Sequence, residues 1–328
     1  MRAPTGVVLL LLAAAGAAET KPPYVERLSP ALDAIVPRDA AIDVIATGFD
    51  WAEGPLWLPE QHMLVFSDPP ANTIFGWREG EGVSTWLKPS GYTGERPRGG
   101  EPGSNGLALD ARGRLILCQH GDRRIARMAA SLDEPAPEFE TIAARYDGHR
   151  FNSPNDLTID SKGAIWFTDP PYGLEGGPDG PGRELDTLGV YRVAPGGEAE
   201  LVVGNLTRPN GIGLSPDEAT LYVSNSDPER AAWMAYRIDA DGTVGDGRLL
   251  FDATAEVARA SGLPDGLEVH SSGNLFASGP GGIFVLSPAG DLLGRIVTGA
   301  AAANVAFDED ESTLYITADD RVLRVDLR

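Results

Sequence analysis

Six positions in the sequence combine a side-chain oxygen with one recurring local pattern. Glu53, Asn105, Asn155, Asn210, Asp265 and Asn304 each open a segment in which apolar and polar residues alternate, break at a short turn and resume as an apolar run. The segments read EGPLWLPEQHMLVFSD, NGLALDARGRLILCQH, NDLTIDSKGAIWFTDP, NGIGLSPDEATLYVSN, DGLEVHSSGNLFASGP and NVAFDEDESTLYITAD, with start-to-start spacings of 52, 50, 55, 55 and 39 residues. Amide and carboxylate oxygens gathered at one point suit a hard cation such as Ca2+, which takes about 6–8 oxygen ligands. Glu53 and Asp265 together match the charge of one divalent ion, and the two carboxylates would repel without it. Turn preference explains single Asn and Asp residues; it explains Glu53 poorly and does not require a complete set. His62, His120, His149 and His270 are scattered and lack the spacing of a zinc site.

For these oxygens to meet, the repeated segments must be arranged around an axis. Each segment reads as a tight β-hairpin, and a period near 50 residues built from strands is the signature of a β-propeller. No helical periodicity competes. The expected fold is therefore all-β, a six-bladed β-propeller whose innermost strands begin at the six oxygen-bearing positions. The chain after Asn304 supplies three strands for the last blade. Residues 41–46 (AIDVIA) are expected to complete it by pairing with 321–327, which also protects the sheet edges.

Composition agrees. The 328 residues include 40 Gly and 26 Pro, which favours turns over long helices, and 42% are hydrophobic, enough for a large core. A formal net charge of −21 argues against nucleic acid and anionic membranes as partners. The start, MRAPTGVVLLLLAAAGAAET, reads as a secretory signal peptide over 1–18, too short to span a bilayer. It is followed by an N-terminal extension, 19–40, and the propeller, 41–328. The expected location is exported, periplasmic or secreted. The single Cys118 lies in an apolar strand-like run, so the expectation is a buried inert thiol.

Counting fifteen residues from each hairpin start gives Asp68, His120, Pro170, Asn225, Pro280 and Asp319, which a hairpin returns to the same end of the channel. Two long Gly- and Pro-rich loops, 89–104 (PSGYTGERPRGGEPGS) and 171–186 (PYGLEGGPDGPGRELD), open there and are expected to act as lids. His120 and Arg123, in CQHGDRRI, are candidates for contact with a substrate, as are the ring positions Asn105 and Asn304. Asp156 is expected to buttress Asn155 or cap its turn.

The ordered motifs EGP, FNSPND, FTDPPYGL, RPNG, PDG and SGPGGIFVLSP, spread over about residues 50–320, resemble the gluconolactonase, regucalcin and luciferin-regenerating family, nearest its bacterial sugar-lactonase branch. That resemblance implies a six-bladed propeller with one divalent ion in the central channel. It implies Glu53, Asn155, Asn210 and Asp265 as the ligands, with Ca2+ the expected ion and Zn2+, Mn2+ or Mg2+ as alternatives. It further implies hydrolysis of a small-molecule lactone, a carboxylic ester, with Asp265 as the catalytic base. Two other readings stay open at this level: a phosphotriester or other ester hydrolase in the same site, and a non-catalytic calcium- or carbohydrate-binding propeller.

Overall fold

A computed structural model describes residues 22–328; the signal-peptide expectation over 1–18 falls outside them. The described chain folds into six antiparallel blade sheets, beside one two-stranded ribbon (Arg145–Tyr146 with His149–Arg150); the innermost blade strands are Glu53–Leu58, Ser104–Leu109, Leu157–Ile159, Pro209–Leu214, Leu267–Val269 and Ala302–Phe307. Each innermost strand packs on the next, and Ala302–Phe307 packs on Glu53–Leu58, which closes the ring.

Within a blade, burial falls from the axis outwards. The second strand of the first blade, Met63–Asp68, is buried along its whole length, because neighbouring blades cover both its faces. Its outermost strand, Gly82–Leu87, is exposed for most of its length. The hairpin turns follow from sequence. In DARG and DSKG the Asp side chain accepts from backbone N–H groups two and four residues on: Asp110 from Arg112 (2.9 Å) and Arg114 (3.0 Å), Asp160 from Lys162 (3.0 Å) and Ala164 (2.8 Å).

The last blade is completed from the N-terminal side. Ile42–Thr47 pairs antiparallel with Arg321–Asp326, with Ile42 opposite Val325 and Thr47 opposite Arg321. Trp57 stacks on Tyr315 at 5.5 Å between ring centroids, joining the first blade to the last. Cys118 is fully buried, and burial pushes its thiol well above the usual range, so it is no nucleophile.

The 19–40 stretch is more than an extension. Tyr24–Arg27 adds a fifth, outermost strand to blade 5, with Tyr24 opposite Val297 and Arg27 opposite Gly294. Ser29 caps a 3-10 turn over Pro30–Ala34, and this sets Leu32 and Val36, both fully buried, into the core shared by blades 5 and 6. Gly294 makes this approach feasible: a Cβ there would lie 2.4 Å from the Glu26 carbonyl oxygen. Among the described residues no helix is long and apolar enough to cross a membrane.

Candidate active site

At one end of the channel the innermost strands open into a cavity of about 490 Å3. Glu53, Asn105, Asn155, Asn210 and Asp265 all line it. The strands reach this end through backbone contacts between neighbouring blades. Gly106 N–H donates to the Asn155 carbonyl at 2.7 Å. Such packing leaves no room for a side chain at the next position: a Cβ on Gly54 would sit 2.0 Å from the Asn105 carbonyl oxygen. The return strands hold the entry turns. Asp68 accepts from Asp50 N–H (2.9 Å), Asp169 from Asn152 (2.7 Å) and Ser153 (2.8 Å), and Asn225 from Arg208 (2.8 Å). Each of these turns leads directly into Glu53, Asn155 or Asn210.

Asn304 does not belong to this ring. Gly266 N–H donates to the Ala303 carbonyl at 2.7 Å, as Gly106 does to Asn155. Asp308 and Thr313 close the last hairpin as Leu58 and Met63 close the first, which makes Ala303 the counterpart of Glu53. Asn304 is one residue deeper, level with Asp156. The backbone N–H of each faces a threonine hydroxyl, Asp156 to Thr168 (3.2 Å) and Asn304 to Thr317 (3.0 Å). Asn304 therefore lies below the cavity, not on its lining, and is not placed to touch a substrate.

His120 and Arg123 also stand behind the cavity. His120 is fully buried, with Nε2 3.3 Å from Asn155 Nδ2 and Nδ1 3.3 Å from a Glu101 carboxylate oxygen, the latter without hydrogen-bond alignment. Arg123 donates from Nε to the Phe151 carbonyl and from Nη1 to the Gly182 carbonyl, both at 2.6 Å, and so braces the 171–186 loop. The two long loops are tied to each other. Arg98 donates to the Gly121 (2.8 Å) and Gly173 (2.5 Å) carbonyls, and Arg96 meets Glu175 at 2.6 Å. Each loop delivers one side chain to the cavity, Glu101 and Tyr172, neither singled out by sequence pattern.

On the cavity lining the Asn210 amide is held at one end and left unpartnered at the other. Asn210 donates from Nδ2 to Ser226 Oγ at 3.1 Å, and Ser226 in turn donates to the Pro264 carbonyl. This holds the Nδ2 side of the amide against Ser226 and leaves Oδ1 without a protein partner. The Oδ1 atoms of Asn210 and Asn105 are buried and have no hydrogen-bond partner within the protein. Such atoms are costly unless a ligand meets them.

The carboxylates carry the same message. Burial pushes Glu53 up to about 8, with the charges of Asp156 and Glu101 adding to the rise and the Trp51 indole N–H at 3.2 Å opposing it. Asp265 is raised well above the usual carboxylate range, first by burial and then by Glu53, Asp156 and Glu101. Burial also lifts Asp156 to about 7. Among the described residues no three His, Cys, Asp or Glu side chains are arranged to hold an ion by themselves. The set that fits a cation mixes carboxylates with the oriented amides, an all-oxygen donor set suited to a hard ion.

Residues 51–320 match the family described as SMP-30/Gluconolactonase/LRE-like region. A gluconolactonase of Zymomonas mobilis subsp. mobilis is 41% identical over 307 residues, covering 92% of this chain and 85% of the relative. A 6-deoxy-6-sulfogluconolactonase of Pseudomonas putida is 31% identical over 274 residues, covering 81% and 82%. A solved gluconolactonase structure from Xanthomonas campestris superposes with a TM-score of 0.79 at 35% identity, covering 95% of this chain and 96% of that one.

Proposed function

The chain belongs to the SMP-30/gluconolactonase/LRE-like family, and from that premise we propose that it hydrolyses the ring ester of sugar lactones, with a divalent cation held at the channel end by Glu53, Asn155, Asn210 and Asp265. The observation that carries the reading is the pairing of buried, partnerless amide oxygens with carboxylates raised by burial and by neighbouring charges, on residues that line one cavity. Ca2+ is the ion such a donor set favours. When bound, the cation supplies Lewis acidity to the lactone carbonyl and charge to balance the developing oxyanion.

The chain's own groups supply the rest. Asp265 acts as general base. It takes a proton from the attacking water as the water oxygen bonds to the carbonyl carbon. The ring C–O bond then breaks, and that proton is returned to the departing alkoxide, giving the open hydroxy acid. Asp265 is ionised for this role only when its neighbouring carboxylates are neutralised. Trp51 and Gly54 hold Glu53 through N–H donors, each at 3.2 Å. Asn105, on the cavity lining, contacts the substrate. The leader-like segment 1–18 supports an exported site of action as part of the same proposal.

The test is lactone opening by the purified chain, followed by acid release, with added Ca2+ and with chelator. Opening that is abolished by chelator and restored by Ca2+ is expected. Phosphotriester cleavage without lactone opening would transfer the site to the other reaction class, and Ca2+ binding without either would make the protein a binder.

A further inference from the structure

The cavity is polar at its floor and apolar along one wall. The wall is formed by Val257, Ala260 and Leu263, from the segment between blades 4 and 5, together with Ala301, Ala302 and Pro228. The short helix Thr254–Val257 starts that segment. Gly262, at φ +98°, lets the chain turn back so closely that a Cβ there would lie 3.1 Å from the Gly279 carbonyl oxygen. Among the described residues no Lys or Arg lines the cavity. Arg208 acts by charge on Tyr172, which lines the cavity. Arg96, Arg98, Arg123 and Arg150 line a separate cavity behind the two long loops.

We propose that this site selects uncharged lactones whose portion remote from the ester is apolar, and rejects lactones that carry a phosphate, sulfonate or carboxylate. The proposal rests on the lactonase reading and extends its substrate class from sugar lactones to uncharged lactones with an apolar remote portion. A second negative group in the cavity would be desolvated beside Glu53, Glu101 and Asp265, with no cationic side chain among the described lining residues to receive it. Glu53 and Asp265 already match one divalent ion, which leaves no positive charge over. Hydroxyls held against Val257, Ala260 and Leu263 would lose water, and of that segment's lining side chains Ser261 alone has a hydroxyl to offer them. An alkyl substituent covers the same wall, where each methylene is worth a factor of roughly 10–200 in selectivity. A volume of about 490 Å3 has room for such a substituent beyond the lactone ring.

The experiment offers the Ca2+-saturated protein three lactones of one ring size: glucono-δ-lactone, its 6-phosphate, and δ-decalactone, whose ring bears a pentyl chain. We expect δ-decalactone to equal or exceed gluconolactone in kcat/KM, and the 6-phosphate to fall at least about 100-fold below gluconolactone. A 6-phosphate within about tenfold of gluconolactone, or δ-decalactone about 100-fold below it, overturns the proposal. If none of the three is opened, the lactonase reading fails separately, and binding decides the class. Thermal stabilisation by δ-decalactone but not by the 6-phosphate upholds it; stabilisation by the phosphate alone, or by neither, overturns it. Leu263→Lys and, as a second variant, Val257→Lys put a cation on the wall. At least one, folded by its melting curve, should raise the 6-phosphate to gluconolactone ratio by about tenfold or more. An unchanged ratio in both counts against the wall as the selecting element.

Discussion

Asn304 Nδ2 lies 3.4 Å from Asp156 Oδ2, a contact that crosses the channel between two blades 148 residues apart in sequence. Asn304 is 5% exposed and Asp156 7%. The two residues also cap their own strands, Asp156 Oδ1 accepting from Leu157 N–H (2.9 Å) and Asn304 Oδ1 from Val305 N–H (2.8 Å). The pair is thus a brace beneath the cavity, and it separates two substitutions that look alike in sequence. Asn304→Ala removes a donor to a buried carboxylate and should cost about 1–3 kcal/mol of stability while leaving KM within about twofold. Asn105→Ala, on the lining, should raise KM with a smaller loss of stability. Denaturant unfolding and steady-state kinetics on both variants check the split; a KM effect for Asn304→Ala comparable to that of Asn105→Ala would return Asn304 to the substrate site.

Stability without cation should fall as pH rises. Glu53 and Asp156 have folded-state values of about 8 and 7, above the ordinary carboxylate range, and Asp265 is raised in the same direction. The folded state therefore holds protons that the unfolded chain has already lost. This stability is fully present below about pH 4 and is lost progressively as pH rises through about 8. Glu268, at the other mouth, is also pushed to about 8 by burial; its side chain reaches water, so its share is smaller. Chelated protein should show a falling melting temperature from pH 5 to pH 8, and saturating Ca2+ should flatten most of that slope. A metal-free curve that rises across the window contradicts the assignment.

The sequence revealed most of this arrangement because hairpins with a near-constant period can meet only around an axis. The ring positions follow from that geometry, and so does closure through Ile42–Thr47. The last blade was readable only to within one residue, since the polar run Asp308–Ser312 offers two places for the turn and nothing local chooses between them. Tyr24–Arg27 is too short and too polar to announce itself as a strand; the edge of blade 5 makes it one. Glu101, Tyr172 and the Val257–Leu263 wall sit in connections without periodicity. For His120 and Arg123, sequence gave the neighbourhood and not the direction: one side chain props a ring amide and the other a loop.

His120 and Ser226 should act on the cation through the amides they hold. Asn155 Nδ2 approaches His120 Nε2 at 3.3 Å, and Asn210 Nδ2 donates to Ser226 Oγ at 3.1 Å. Removing either partner frees an amide to rotate. Residues that orient ligands in this way typically contribute about 10–100-fold in metal affinity. Ser226→Ala and His120→Ala should each weaken Ca2+ binding by about that factor, measured by calorimetry. His120→Gln, which keeps an acceptor, should recover part of the loss. Unaltered Ca2+ affinity in both alanine variants would show that the amides are held by other means.

Asp265 and Glu53 should separate as base and ligand. Both are carboxylates on the cavity, and after burial the charge of Glu53 raises Asp265. Asp265→Asn keeps an oxygen donor but removes the proton acceptor, a change that typically costs about 10²–10⁴ in rate. Glu53→Gln removes one charge and leaves the acceptor, so its main effect should be on cation affinity. Excess Ca2+ should therefore restore most of the rate of Glu53→Gln and little of that of Asp265→Asn. The pH profile adds a second distinction: loss of Glu53 removes one charge that holds Asp265 protonated, so the acid limb of kcat/KM should shift to lower pH in Glu53→Gln. Rates measured across Ca2+ concentration and pH check both points. Near-wild-type kcat for Asp265→Asn at saturating Ca2+ would remove the base from Asp265, because the asparagine amide cannot accept that proton.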